Sequence, residues 1–359
     1  MQQIILIYNT NLKPCEAQKR SSPPSKEMNN SRWTDHTYPY TNQRLFILPL
    51  NTMTKYLLTL LLFCNSLCTT AQNEGQPYVQ VLGIAQDGGY PHMGCDRQCC
   101  ARAWANDAMK RTVVCLALVD PADNKWWLFE ATPDIKDQLH YFQQLTHGRY
   151  NFLPDGIFIT HAHIGHYTGL MELGREVMGT HGVPVYVLPR MADFLTNNGP
   201  WSQLVKLDNI SLHVMHVDSA VQLTDRISVT ACTVPHRDEY SETAGFTINT
   251  GSRRYLFIPD INKWALWDRS IVAQVKAVDV ALVDATFYDS TELPARNFTV
   301  VPHPFVKETM ELFKNEDAAT RAKVHFIHFN HTNPLLWDAE KRKAVREKGF
   351  GVAEEGEVL

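Results

Sequence analysis

Thr160-His161-Ala162-His163-Ile164-Gly165-His166-Tyr167 puts three histidines within six residues, directly after the apolar run Gly156-Ile157-Phe158-Ile159. Packing gives no reason to cluster imidazoles at the end of a short strand. A metal site does, because neutral imidazole is a common ligand for divalent transition metals. Three further apolar runs stop at a histidine or an aspartate: Thr233-Val234-Pro235-His236, Tyr255-Leu256-Phe257-Ile258-Pro259-Asp260, and Val324-His325-Phe326-Ile327-His328. Ligands on the ends of rigid strands hold their positions, as a catalytic metal requires. Asp260 has a competing reading as a helix N-cap ahead of Asn262-Lys263-Trp264. A second cluster, Cys95, Cys99 and Cys100, puts three cysteines within six residues. That spacing reads as zinc ligands, against one disulfide plus a free thiol. Cys99 and Cys100 are adjacent and cannot point the same way along a regular strand, so a loop is expected there.

The elements that must carry these groups are short and alternate in type. Tyr78 to Gly83 reads as a first strand, and Val113–Val119 with Lys125–Glu130 as a hairpin around Pro121-Ala122-Asp123-Asn124. A helix is expected from Pro133-Asp134 to about Gln144, with proline early in its first turn. Ile157–Thr160 is a strand, Gly169–Met178 a helix and Val183–Leu188 a strand, with a helix from about Arg190. Strands are then expected at 227–234, 244–250, 253–258, 278–284 and 323–328, and helices at 264–276 and 304–315. Early hairpins, later strand–helix alternation and no linker-like stretch between the halves predict one layered α/β domain.

Hydrophobic content of 44% and charged content of 20% suit a globular chain of 359 residues. A formal net charge of −4 speaks against a nucleic-acid partner and leaves a small-molecule substrate as the expectation. Residues 1–52 are rich in Asn, Ser, Pro and Thr and read as an upstream extension that is not native. Met53-Thr54-Lys55-Tyr56, the apolar run Leu57–Phe63 and Thr69-Thr70-Ala71 have the layout of a signal peptide over 53–71. Its apolar core is too short for a membrane span, and no other run is long enough. The expectation is an exported protein, periplasmic or extracellular, with no stable membrane span after cleavage. Of the eight cysteines, Cys15, Cys64 and Cys68 precede the expected mature chain, and the five that remain do not make a simple disulfide framework. No feature of the sequence speaks to oligomeric state.

The four strand-end motifs, in this order, resemble the metallo-β-lactamase-fold superfamily, whose pattern is H-x-H-x-D-H, a lone His, a bridging Asp and a final His. The resemblance covers about residues 77–350. Leu128-Phe129-Glu130-Ala131-Thr132-Pro133-Asp134-Ile135, Ala162–Leu170 and His328-Phe329-Asn330-His331-Thr332-Asn333-Pro334 are similar to segments of the pyrroloquinoline quinone biosynthesis protein B group within it. The phosphonate-pathway cyclic phosphodiesterase and ribonuclease Z share the general plan. The resemblance implies a single-domain, four-layer αββα sandwich. By position it implies one metal on His161, His163 and His236, with Asp260 bridging to a second on His166 and His328; zinc suits these ligands, and iron or manganese would also fit. Gly165 departs from the pattern, since the family's Asp at that place ligates the second metal. Asp238 and Asp87 are the candidates to replace it, and spacing does not choose between them. At the cysteines the related families have C-x-C-x-x-C, whereas Arg97 stands here for the middle Cys. Cys95, Cys99, Cys100 and His331 are the implied ligands of a structural zinc, with His92 spare.

The chemistry implied is hydrolysis of an ester, lactone or phosphodiester by metal-activated water, with Asp260 and His303 as catalytic residues. His303, in Val301-Pro302-His303-Pro304-Phe305 between the Asp260 and His328 strands, is read as a substrate contact or general acid, against an exposed loop histidine. Two alternatives stand beside it: a metal-dependent oxidoreductase or accessory protein of quinone cofactor biosynthesis, and a degenerate, non-catalytic metal-binding protein. Trp201, Trp264 and Trp267 are candidates for pocket wall or core.

Overall fold

A computed structural model describes residues 75–292 and 302–359, so the expected upstream extension and signal peptide lie outside the described residues. Among the described residues, thirteen strands form two sheets. The first has the order β1 (Tyr78–Gly83), β2 (Cys115–Asp120), β3 (Lys125–Phe129), β4 (Ile157–Phe158), β5 (Val183–Val187) and β6 (Ile210–Val214). Its first three strands are antiparallel; β3 to β6 pair in parallel. The second sheet runs β7 (Ala220–Gln222), β8 (Ser228–Val234), β9 (Thr243–Asn249), β10 (Arg254–Ile258), β11 (Val280–Asp284), β12 (Val324–Ile327) and β13 (Gly351–Val352). It repeats the plan, antiparallel from β7 to β10 and parallel from there to β13. Parallel neighbours need crossovers, and these supply the helices.

Period-two alternation explains why the strands of the first sheet are apolar on both faces. Leu116, Leu118, Trp127, Phe129 and Phe158 face the core shared with the second sheet. Cys115, Ala117, Trp126, Leu128 and Ile157 face the other way, onto Ile135, Leu139 and Phe142 of the helix Ile135–Leu145. Between the sheets, Phe129 stacks on Phe158 at 4.7 Å, and Phe246 of β9 meets both edge-on at 5.5 and 5.6 Å. The chain's last residues close the edge of the first sheet: Leu359 donates its backbone N–H to Val79 at 2.9 Å, and Val81 donates to Glu357 at 2.9 Å. Two sheets packed face to face and covered by helices make the single α/β domain that the motif order predicts.

Several boundaries differ from the sequence reading. The helix expected over Gly169–Met178 is a 3₁₀ segment, Thr168–Leu173, ended at Gly174. The helix expected over 264–276 is broken into a 3₁₀ turn, Trp264–Leu266, and a new helix, Ile271–Lys276, whose N-cap Ser270 accepts from the Ala273 N–H at 3.3 Å. Cys99 and Cys100 lie in the first turn of a helix, Gln98–Ala105, not in a loop. Trp264 and Trp267 are core residues whose indole N–H groups donate to Thr309 Oγ1 and the Thr233 carbonyl, both at 2.9 Å.

Candidate metal centre

The carboxyl ends of the strands converge on one edge of the sandwich. His161 and His163 follow β4, His236 follows β8, Asp260 follows β10, and His328 follows β12. His161, His163, His236 and Asp260 each offer a ligand atom within 4.8 Å of the others. Asp260 Oδ2 lies 3.1 Å from His236 Nε2, 3.5 Å from His161 Nε2 and 3.9 Å from His166 Nε2. One carboxylate thus reaches both groups of histidines.

The far side of four rings is tied down, and this sets which nitrogen faces the centre. Thr160 Oγ1 donates to Glu130 Oε1 at 2.6 Å and so accepts from His161 Nδ1 at 2.9 Å. His166 Nδ1 donates to the same Glu130 oxygen at 3.1 Å. His236 Nδ1 donates to Asn262 Oδ1 at 3.2 Å. Thr286 Oγ1 donates to Asp284 Oδ1 at 2.7 Å and accepts from His328 Nδ1 at 3.0 Å. Nδ1 is therefore the protonated nitrogen on all four, and Nε2 is aimed inward. A hydrogen-bonded outer nitrogen is the usual support of a metal-ligating histidine.

Whether the residues suit a metal is decided by their buried, unpaired atoms. Nε2 of His161, His166 and His328 and Oδ1 of Asp87 and Asp260 are buried without a hydrogen-bond partner. Each such atom costs roughly 1–3 kcal/mol unless something satisfies it. Five such atoms gathered at the strand ends, all nitrogen or carboxylate oxygen, fit cation binding and no apolar packing role.

Electrostatics agree. Burial, reinforced by His166, holds the His161 imidazole well below its ordinary range, and burial lowers that of His163, so both favour the neutral form that a metal requires. At His166 burial opposes the charge, but the carboxylates of Glu130 and Asp87 outweigh it and the imidazolium is strongly favoured. Burial opposes ionisation of Asp260 too, yet His236 and His303 hold it well below the carboxylate range. The acids of the site demand positive charge where His166 and His328 point.

His303 is not an exposed loop residue. It is buried, with Nδ1 2.9 Å from Asp284 Oδ2 and 3.1 Å from Asp260 Oδ1. Burial disfavours its charge, but Asp284 and Asp260 prevail and push its pKa up to about 10. Asp238 is turned away, exposed and paired with Arg190 at 3.1 Å. Asp87 lies 3.2 Å from His166 Nε2. Glu130, Asp284, Thr160, Thr286 and Asn262 are site residues that sequence reasoning did not assign; for Asp284 the signal was present, since β11 is another apolar strand ending in an acid.

The cysteines form a separate cluster. Cys95, Cys99, Cys100 and His331 bring their ligand atoms within 4.8 Å of one another, and the cysteines are free thiols with no disulfide between them. His331 Nδ1 is buried and unpaired, while its Nε2 meets Arg97 Nη2 at 3.2 Å. Three thiols and one imidazole are a closed tetrahedral set for zinc. His92 stands beside it, ring to ring with His331 at 4.5 Å.

A shallow cleft of about 490 Å³ opens onto the centre between Asp87 and His163. Tyr167, Phe194, Trp201 and Tyr240 line it, with Arg237 at the side.

Comparison with known proteins agrees with this architecture. The chain is 27% identical over 308 residues to coenzyme PQQ synthesis protein B of Methylorubrum populi, covering 79% of this chain and 99% of that protein. It is 26% identical over 301 residues to the protein of the same name from Xanthomonas campestris pv. campestris, covering 77% and 97%. In structure it resembles Zn(2+)-bound PqqB from Methylobacterium extorquens, with a TM-score of 0.64, 24% identity and coverage of 79% and 99%. It also resembles a diphosphatase from the PhnP family, with a TM-score of 0.55, 20% identity and coverage of 79% and 96%. Residues 125–329, more than half of the chain and reaching from β3 to the strand end at His328, match the Beta-lactamase superfamily domain, and the chain belongs to that family.

Proposed function

We propose that the chain is a metal-dependent hydrolase acting on a small ester, lactone or phosphodiester. The observation that carries this is the set of five buried, unpaired ligand atoms, one of them on Asp87, which together with His163 lines the cleft. His161, His163, His236 and Asp260 would hold one divalent cation, and His166 and His328, sharing Asp260, a second. Zinc suits the donors and is the ion bound in the PqqB structure; iron or manganese fits the same nitrogen and oxygen set. Bound, such ions supply Lewis acidity, which activates water and polarises the group under attack.

The chain's own residues do the rest. Glu130, Asn262 and Thr286 keep the imidazoles fixed, so that no reorganisation accompanies the reaction. Asp260 orients the nucleophile between the histidine groups. His303, paired with Asp284 at 2.9 Å and Asp260 at 3.1 Å, is the group assigned as general acid. Phe194, Trp201 and Tyr240 receive an apolar or planar part of the substrate, and Arg237 meets an anionic group. The Cys95, Cys99, Cys100 and His331 cluster would hold a structural zinc.

The test is elemental analysis of the purified chain beside turnover of bis-p-nitrophenyl phosphate, p-nitrophenyl acetate and a γ-lactone, with His161→Ala as control. A metal-loaded chain inactive on every substrate class would sink the hydrolase reading. Similarity to coenzyme PQQ synthesis protein B supports a second reading, an oxidoreductase or accessory step in cofactor biosynthesis. Iron in the purified protein with oxygen consumption would select it. We further propose export directed by Met53 to Ala71, tested by N-terminal sequencing of the mature protein.

A further inference from the structure

Gly165 removes the acid that should complete the second half of the centre, and the space around it shows what replaced that acid. A Cβ on residue 165 would lie 2.3 Å from Asp87 Oδ1, 2.5 Å from Asp87 Cα and 2.9 Å from Asp87 Cβ. Because the Cα is among these atoms, turning the Asp87 side chain away does not relieve the collision. Gly165 sits in the short helix Ile164–Tyr167, where an ordinary L-residue is at home. Space, not backbone conformation, therefore demands glycine here.

The intruding residue carries the missing functional group. Asp87 Oδ1 is 3.2 Å from His166 Nε2 and 3.9 Å from His328 Nε2. All three atoms are buried and none has a hydrogen-bond partner. Their positions are held by the backbone. Ala85 bridges to Phe329, the Gln86 N–H donates to the Phe329 carbonyl at 2.9 Å, and Asn330 Nδ2 donates to Gln86 Oε1 at 2.5 Å. The loop bearing Asp87 is thus pinned to the segment that bears His328. Two imidazole nitrogens and one carboxylate oxygen, within 4.8 Å of each other, are a three-point cation site.

We propose that Asp87 is the carboxylate ligand of the second cation, delivered from the loop after β1 in place of the acid absent at 165, and that Gly165 is its steric counterpart. This rests on the two-cation reading above and names the residue that makes it workable. The two positions are not freely exchangeable, because even without a side chain at 87 its Cα would stand 2.5 Å from a Cβ at 165.

Zinc titration of the apo full-length chain, with elemental analysis after dialysis, tests this in wild type, Asp87→Asn, Asp87→Ala and Gly165→Asp. Asp87→Asn is close to isosteric and keeps the fold, which circular dichroism verifies. Both single changes at 87 should lose one zinc equivalent per chain and leave the other equivalents in place. Gly165→Asp alone should lose the same equivalent and lower the melting temperature, because two carboxylates compete for one volume. If wild type takes up two ions at the histidines and both changes at 87 keep them, the Asp87 assignment is wrong while the two-cation reading survives. If wild type takes up fewer than two there, both fall.

Discussion

Glu130→Gln is the most informative single change outside the ligands. Glu130 is fully buried and accepts three bonds, from the Thr160 N–H at 3.2 Å, Thr160 Oγ1 at 2.6 Å and His166 Nδ1 at 3.1 Å. Glutamine keeps the volume but has a single acceptor oxygen. If that oxygen stays with Thr160 Oγ1 and His166, the amide NH₂ faces the Thr160 N–H, and two buried donors oppose each other. One unsatisfied buried donor costs roughly 1–3 kcal/mol, and weakening the charge-assisted bond to His166 adds about 1 kcal/mol. The metal-free chain should lose about 2–4 kcal/mol by urea unfolding. Zinc affinity should fall roughly 10–100-fold, because His166 and, through Thr160, His161 exchange a charged acceptor for a weaker neutral one. Competition with a chromophoric chelator measures the second quantity independently of the first. Wild-type affinity and stability in the glutamine variant would mean that Glu130 does not orient the histidines.

Other predictions are independent of this one. Glu355 is pushed by burial, and further by Asp134, up to about 7, against bonds from the Thr112 N–H and Oγ1. The folded state keeps a proton that the unfolded state releases near 4.5, so stability falls as pH rises from about 4.5 to 7, by at most about 3 kcal/mol. Glu355→Gln should flatten that slope, and urea curves at pH 5 and pH 8 with an unchanged difference would refute it. Cys95→Ser should remove one zinc and lower the melting temperature while leaving the zinc at His161 and His236 in place; loss of all metal would show that the two clusters are not separate. Trp201→Ala should raise KM for an aromatic ester more than it lowers kcat, since Trp201 lines the cleft and touches no ligand; a pure kcat loss would place it elsewhere in the reaction. Prolonged dialysis against a strong chelator should abolish turnover, with recovery on adding zinc.

The ligand histidines were legible because each ends an apolar strand, and a strand end is one of few places where a polar group leads out of a core. Asp284 obeys the same rule and went unassigned because an acid at the end of β11 has no histidine beside it in sequence; its partners, His303 and His328, lie 19 and 44 residues away. Glu130 was hidden differently. It follows β3 with φ of +75°, a left-handed conformation that turns its side chain back under β4, and His328 shares the feature at +67°. Such geometry costs a non-glycine residue roughly 1–3 kcal/mol and persists only where the surroundings over-determine it. No residue pattern announces it. The helix at Gln98–Ala105 was missed for a simpler reason: the argument from adjacent cysteines holds for strands. At a helix start two neighbours some 100° apart can still reach one point with a third thiol that precedes the helix.

The number of cations the site is built for can be argued from its acids. Asp87, Glu130, Asp260 and Asp284 are four carboxylates around one centre, three of them no more than 2% exposed. Their charges cannot be left unbalanced at such burial. The histidines that face them offer neutral nitrogen once they act as ligands. With the His303 imidazolium counted, one divalent cation would leave a net charge of about −1 buried at the strand ends, and two would leave about +1, which a hydroxide nucleophile would balance. A protein built for a single ion, or for none, would have had no reason to keep Asp87 beside His166 after the acid at 165 was gone. It would also have had no reason to keep residue 165 without a side chain to make room for it. On the proposal above, the charge missing from the histidine motif at 165 is supplied by Asp87, carried in from the loop after β1.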